Sequence, residues 1–150
     1  FRQLRNLDGQ RIRRRDDGRH RAGIGHQHRE RIGGNEIRHD RRRAVVDGDW
    51  IFVAGTTGFD YATMTIADDI AAQAEQCFAN IGAVLREAGA TLADVVRVRY
   101  IVPQAAEFAH CAPVLQRHLG SVRPAATMIS ANLLDARMRI EIEVTARRRS

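Results

Sequence analysis

Seven apolar side chains between residues 70 and 88 restrict what this chain can fold into more than any other feature. Ile70, Ala74, Cys77, Phe78, Ile81, Leu85 and Ala88 recur mostly at steps of three and four residues, which lines them along one face of an α-helix. Gln73, Glu75, Gln76, Asn80, Arg86 and Glu87 fall largely outside that face. Asp68 and Asp69 precede the stripe as caps that the helix dipole favours, and Gly89 follows as the residue that ends it. A helix this one-sided has to bury its stripe against a second layer.

The flanking stretches read as strands. "AVVDGDWIFVAGTTG", starting at Ala44, holds two apolar runs separated by Asp47, Gly48 and Asp49. Asp-Gly favours a hairpin whose central residues must both tolerate positive φ, so strands are expected at 43–47 and 50–55. Gly55 and Gly58 mark a place where the chain turns or a neighbour approaches closely. "DVVRVRYIV" predicts a strand at 95–102, closed by Pro103. Strict alternation puts Val96, Val98, Tyr100 and Val102 on one face and Val95, Arg97, Arg99 and Ile101 on the other.

A second helix is expected at 105–119, with Phe108, Cys111, Ala112, Leu115 and Leu119 inward and Pro113 marking a kink or a fresh first turn. Strands near 125–131 and 138–147 complete a two-layer α+β domain with two helices on one face of a mixed sheet. The opposite face carries Arg97, Arg99 and Glu141 or Glu143, and needs a cover of its own. That pattern argues for an oligomer.

All 24 basic residues are arginine, and the net charge of +6 is unevenly spread. Residues 1–43 hold 14 arginines against six acids, whereas residues 44–150 hold ten against twelve. The basic character therefore belongs to the N-terminal stretch and not to the main domain. Residues 1–30 offer only Phe1, Leu4, Leu7, Ile12, Ala22 and Ile24 for burial. They are expected to form an arginine-rich extension, flexible or, since the chain opens on Phe, artefactual. The domain is placed at 31–150, with a short edge strand near 31–37. The extension lacks the interleaved aromatics that stack bases, which argues against nucleic acid as a partner.

No run of 18 apolar residues offers a membrane span, and the first residues, without an apolar stretch, are not expected to act as a signal peptide. Cys77 and Cys111, without CxxC spacing, read as reduced, buried thiols of a cytoplasmic protein. His26 and His28 have no companions at a metal-binding spacing, so no metal is expected. His110 and His118 read as surface groups on the second helix.

Four stretches carry a family resemblance: "VAGTTG", "DIAAQAEQCFANIGAVLREAGATLADVVRVRYIV", "RPAAT" and "RIEIEVTA". In order and spacing they resemble the RidA (YjgF-like) superfamily over roughly residues 43–147. The resemblance implies chorismate-mutase-like subunits assembled as a homotrimer, with clefts between subunits. In the deaminase branch those clefts hydrolyse reactive enamines and imines to keto acids and ammonia, without a cofactor. An arginine directly after Pro-Ala there grips the substrate carboxylate through two parallel charge-assisted hydrogen bonds.

Here that position is Ala126. By the same resemblance the branch's early tyrosine falls on Arg41, its Ser-Gly-Gln loop on Ala54, Gly55 and Thr56, and its cysteine on Met128. Its water-positioning glutamate is retained as Glu141. Losing a bidentate, charge-assisted contact costs ~1.5–3 kcal/mol. The chain thus resembles a subgroup lacking the deaminase arginine, and typical deaminase activity does not carry over to it.

The candidate site is accordingly Glu141 as the water-orienting base, with Gly55, Thr56, Arg99, Ala126, Thr127 and Met128 at ligand-binding positions. Plainer roles stand beside these: a turn at Gly55, an ordinary strand residue at Thr127, a salt bridge at Glu141. Arg99 is expected either to enter the cleft as a replacement cation or to pair with Glu141 or Glu143. Three functions stay open at this point. The first is a trimer that binds a small metabolite (an imine, enamine or related acid), with or without hydrolysing it. The second is a non-catalytic ligand-sensing or partner-binding trimer. The third is an endoribonuclease or translation-inhibitor-like protein acting on RNA.

Overall fold

The computed structural model describes residues 43–149, together with the backbone of Leu4–Arg5 and Arg11–Arg14. The stripe of apolar residues forms helix α1 (Ile70–Glu87), which opens where Asp69 accepts a hydrogen bond from the Ala72 N–H at 2.8 Å. Its face lies across two strands at the middle of the sheet, β4 (Trp50–Thr57) and β9 (Glu141–Arg147). Phe78, Ile81 and Leu85 are fully buried there, against the inward residues Ile51, Ile142 and Val144. Burying each such side chain stabilises the fold by about 1.5–3 kcal/mol, so α1 is held by its packing far more than by its helix propensity.

β4 is reached from β3 (Ala44–Asp47) through the expected hairpin, in which Asp47 faces Trp50. Only Gly48 takes a positive φ, 58°, and Asp49 does not. The turn therefore needs glycine at its first central position alone. A two-stranded ribbon, β5 (Phe59–Asp60) and β6 (Thr65–Ile66), leads into α1. Among the described residues the main sheet runs in the order β1-β2-β3-β4-β9-β7-β8, with β1 at Leu4–Arg5, β2 at Arg11–Arg14, β7 at Val95–Ile101 and β8 at Ala125–Ile129. The β2–β3 and β7–β8 pairs are parallel and the others antiparallel, which makes the mixed sheet expected from the sequence.

Four details depart from the sequence reading. Strict alternation fails at the start of β7, where the register against β9 shifts between Val95 and Arg97. This bulge turns Val95 into the core and leaves Val96 42 % exposed, the reverse of the expectation. The helix expected at 105–119 is two pieces: a 3-10 segment (Ala105–Cys111) and then α2 (Ala112–Leu119). Pro113 sits in the first turn of α2, where its missing N–H costs nothing. The last two strands are shorter than expected, and the residues before Glu141 form a loop. Finally, His118 is no surface group: its ring stacks on Phe78 at 4.6 Å and its Nε2 meets Glu75 Oε1 at 2.8 Å.

β1 and β2 add to the β3 edge, which the reading of 1–30 as an extension did not include. The strand expected near 31–37, Arg41, His26 and His28 lie outside the described residues. No described helix is long and apolar enough to cross a membrane.

Candidate functional site

β4 breaks its register with β9 between Val53 and Thr56, so that Ala54 and Gly55 bulge away from the ladder. The Ala54 N–H turns to the carbonyl of Arg43 at 2.9 Å, which ties the start of β3 to the bulge. Gly55 permits a close approach: a Cβ at this position would overlap the Glu141 carboxylate, the far end of a flexible side chain that would have to move aside. Glu141, the first residue of β9, therefore lays its carboxylate directly on the bulged backbone.

A cavity of about 550 Å³ opens beside this contact, with Gly55, Thr56 and Glu141 in its wall. That volume falls within the range typical of small-molecule sites. Arg43 stacks its guanidinium on the Tyr61 ring, 3.8 Å from the centroid, along another side. The loop before β9 supplies the far side. There Arg137 chelates Asp135 (Nε–Oδ1 3.1 Å, Nη2–Oδ2 2.7 Å) and stands 5.2 Å from the Phe59 ring centroid. Hydrogen bonds from Arg137 hold the Asp135 carboxyl at about 2, well below the usual carboxylate range.

Two polar residues of α1 hold these walls in place. Asn80 donates to the carbonyls of Thr57 at 3.3 Å and Phe59 at 2.9 Å, and its own Oδ1 accepts from Gln76 at 3.0 Å. Gln73 is fully buried and satisfied at both ends. Its Nε2 donates to Ala67 O at 2.6 Å and Arg137 O at 2.8 Å, while its Oε1 accepts from the Arg139 N–H at 2.8 Å. A buried amide left without these partners would cost about 1–3 kcal/mol, so the Gln73 bonds determine where the Arg137 loop sits. The sequence reading placed Gln73 and Asn80 off the apolar face and missed both as site-building residues. Both lie in the longest of the four stretches that carry the family resemblance.

The other candidate residues lie elsewhere in the chain. Arg99 is engaged by Glu143 on the neighbouring strand at 2.9 Å, and lines a separate depression with Phe52 and Arg97 on the sheet face away from the helices. Thr127 is in register with Arg99 on that same face, whereas Ala126 faces a shallow hollow formed with Tyr100 and Leu115. Met128, in register with Tyr100, follows Ala126 to the helix side of β8. All five residues of β8 are exposed. Three strand steps separate β8 from β4, roughly 14 Å at the usual interstrand spacing. One chain thus gathers Gly55, Thr56 and Glu141, and holds Ala126, Thr127 and Met128 apart from them.

Cys77 and Cys111 are buried, and desolvation pushes both thiols up, Cys111 to about 11. They stay protonated at neutral pH and are poor nucleophiles. Among the described residues no group of three or more His, Cys, Asp or Glu side chains is placed to hold a metal ion.

The chain is similar in sequence and fold to known proteins. The profile of the family described as Endoribonuclease L-PSP matches residues 38–148. A RutC family protein of Pyrococcus abyssi is 35% identical over 105 residues, covering 69% of this chain and 83% of its own length. A 2-iminobutanoate/2-iminopropanoate deaminase of Dermatophagoides farinae is 28% identical over 102 residues, covering 67% of this chain and 80% of the relative. The crystal structure of a YjgF/YER057c/UK114 family member from Mycobacterium tuberculosis superposes with a TM-score of 0.64 at 38% identity, covering 70% of this chain and 84% of that one.

Proposed function

This chain belongs to the RidA (YjgF-like) superfamily, and on that footing we propose that it binds a small imine, enamine or related acid in clefts between the subunits of a homotrimer. The observation that carries the reading is the Glu141 carboxylate resting on the Gly55 bulge in the wall of the cavity. A carboxylate there accepts a proton from water as the water oxygen adds to the carbon of a C=N bond. The nitrogen takes up a proton and leaves as ammonia when the carbonyl forms. Water and imine enter, carbonyl compound and ammonia leave, and the charge balances.

The trimer is supported by the exposed edge strand β8 and by the sheet face that neither helix covers. An open strand edge is a hazard that proteins cover or pair. A neighbouring copy supplies what the 14 Å gap within one chain denies, bringing Ala126, Thr127 and Met128 up to the Glu141 cavity. In that cleft Ala126 contributes a methyl group where the deaminase branch has a guanidinium. The smallest imino acids are therefore held at least tenfold more weakly than in that branch.

The test generates 2-iminopropanoate in place with an amino-acid oxidase acting on alanine, and follows its loss with the wild-type protein and with Glu141→Gln. We expect a trimer by sedimentation and a slow acceleration that E141Q removes. A monomer overturns the reading, and so does a rate equal to that of the arginine-bearing deaminases. Binding without acceleration supports the second reading, a ligand-sensing trimer, which the loss of the fork at Ala126 favours.

A further inference from the structure

We propose that the hydroxyl of Tyr100 binds the ligand, and that it takes an uncharged oxygen, the carbonyl of a ketone or an amide, in place of a carboxylate. This rests on the metabolite-binding reading above and specifies which imines and enamines the cleft accepts. Tyr100 belongs to β7 and lines the hollow between α2 and β8 together with Ala126. Its ring packs against Phe108 with 5.2 Å between centroids, and the residue as a whole is only 6 % exposed.

Buried tyrosine hydroxyls are as a rule hydrogen-bonded. Among the described residues the Tyr100 hydroxyl has no such partner, and it is not one of the donors sealed in the interior. The fold thus seats the ring and leaves one donor unsatisfied in the wall of the hollow. The ring is buried by its own chain, through β7, α2 and the 3-10 segment, so no neighbouring copy is needed to hold it there.

The chemistry of the hollow selects the acceptor. Its wall is mostly apolar, with Val98, Leu115, Leu119, Pro124 and Ala126, and the other polar side chain lining it is the Gln116 amide. Arg43, Asp135, Arg137 and Glu141 line the cavity that a neighbouring copy presents, and none of them lines the hollow. A carboxylate seated in the hollow gives up its water for neutral donors with no counter-charge, which costs an ion far more than it costs a carbonyl. Burial also pushes the Tyr100 phenol up to about 12, and Cys111 adds to the rise. The hydroxyl therefore keeps its proton at neutral pH and offers it to an acceptor. With a methyl group at position 126, this hydroxyl is the donor that the β8 side of the cleft provides.

The test uses 2-oxopropanamide and pyruvate, which differ only in the amide and carboxylate ends, and assembled protein labelled with carbon-13 at the Cζ of tyrosine. The chain has two tyrosines, so the NMR spectrum holds two signals, and Tyr100→Phe assigns them. Tyr61 lines the Glu141 cavity and Tyr100 the hollow, so one spectrum follows both walls of the cleft. The amide should shift both signals, whereas pyruvate should shift Tyr61 and leave Tyr100 in place. Tyr100→Phe keeps the ring and should weaken binding of the amide about three- to tenfold, the size of one neutral hydrogen bond, with pyruvate binding and sedimentation unchanged. A Tyr61 signal that moves with the amide while Tyr100 stays still overturns the role of the hydroxyl and leaves the metabolite-binding reading standing. So does a Tyr100→Phe protein that binds the amide as the wild type does, or one that sediments as smaller particles, which assigns the hydroxyl to the contact between copies. Equal shifts of Tyr100 by amide and pyruvate overturn the preference for an uncharged oxygen. If neither probe moves either signal in the assembled protein, the metabolite-binding reading itself fails.

Discussion

The two faces of the central sheet are built by the same strands and differ only in the parity of the residues. On the helix side, Ile51, Val53, Val98, Ile142, Val144 and Ala146 are all buried. On the other side the alternate residues are Trp50 and Phe52, 42 % and 48 % exposed, with Arg97, Arg99, Glu143 and Thr145. The first face is uniformly apolar because α1 and α2 shield it from water within the chain. The second mixes aromatic rings with an internally paired arginine and glutamate. Such a mixture suits contact with another protein surface, where paired charges fix register and apolar rings supply the burial. The candidate site lies where β4 leaves the ladder, at Ala54, which borders both the open-face depression and the Glu141 cavity.

This contrast can be broken from either side. Phe78→Ala strikes the covered face and should lower stability by about 3–5 kcal/mol, read by urea unfolding. A loss under about 1 kcal/mol means that α1 is not the main lid of the sheet. Phe52→Asp strikes the open face. It should leave the fold of the single chain intact by circular dichroism while forfeiting about 1.5–3 kcal/mol of burial per copy between subunits. Sedimentation should then report smaller particles, and an unchanged mass removes this face from the assembly.

Gly55→Ala acts at the border. The atom in its way is the far end of the flexible Glu141 side chain, so the melting temperature should move little while turnover falls by about tenfold or more. A fully active variant separates Glu141 from the chemistry. Glu75→Gln is the mildest. Hydrogen bonds from Arg117 and His118 hold the Glu75 carboxyl below its ordinary 4.5, and the side chain is half exposed. Its depressed value means that the pair stabilises the contact between α1 and α2 above about pH 4.5. That contribution fades as the pH falls further, through the lowered folded value. The variant should cost at most about 1 kcal/mol near neutrality and nothing in strong acid. A loss that does not depend on pH assigns the effect to packing instead.

How much could be read from the residues follows the range of the interaction. The α1 stripe, its Asp69 cap and the Gly48 hairpin were legible because each is specified within a few residues of itself. The role of Pro113 was half legible: proline forbids a continuous helix, but it does not say whether the chain kinks or starts again. The face assignment of Val95 and Val96 failed because a bulge depends on how β7 meets β9, and no local pattern announces that. His118 was misplaced for the same reason, since its partner Phe78 comes from another helix.

The sequence alone determined the two-layer architecture, through apolar periodicities that leave a helix stripe and a sheet face nowhere to go but against each other. It also put Ala126 where the family resemblance implies the arginine of the deaminase branch. Only the tertiary structure decided what stands around Glu141. Arg43, Tyr61, Asn80 and Arg137 come from four separate segments, and what brings them to one cavity is the bulge at Gly55 and the three hydrogen bonds of the buried Gln73 amide. Periodicity states which way a residue faces along its own element. Its neighbours across the fold depend on strand register and loop placement, and these are set by bonds between residues far apart in the chain, such as Gln73 and Arg139, 66 positions apart.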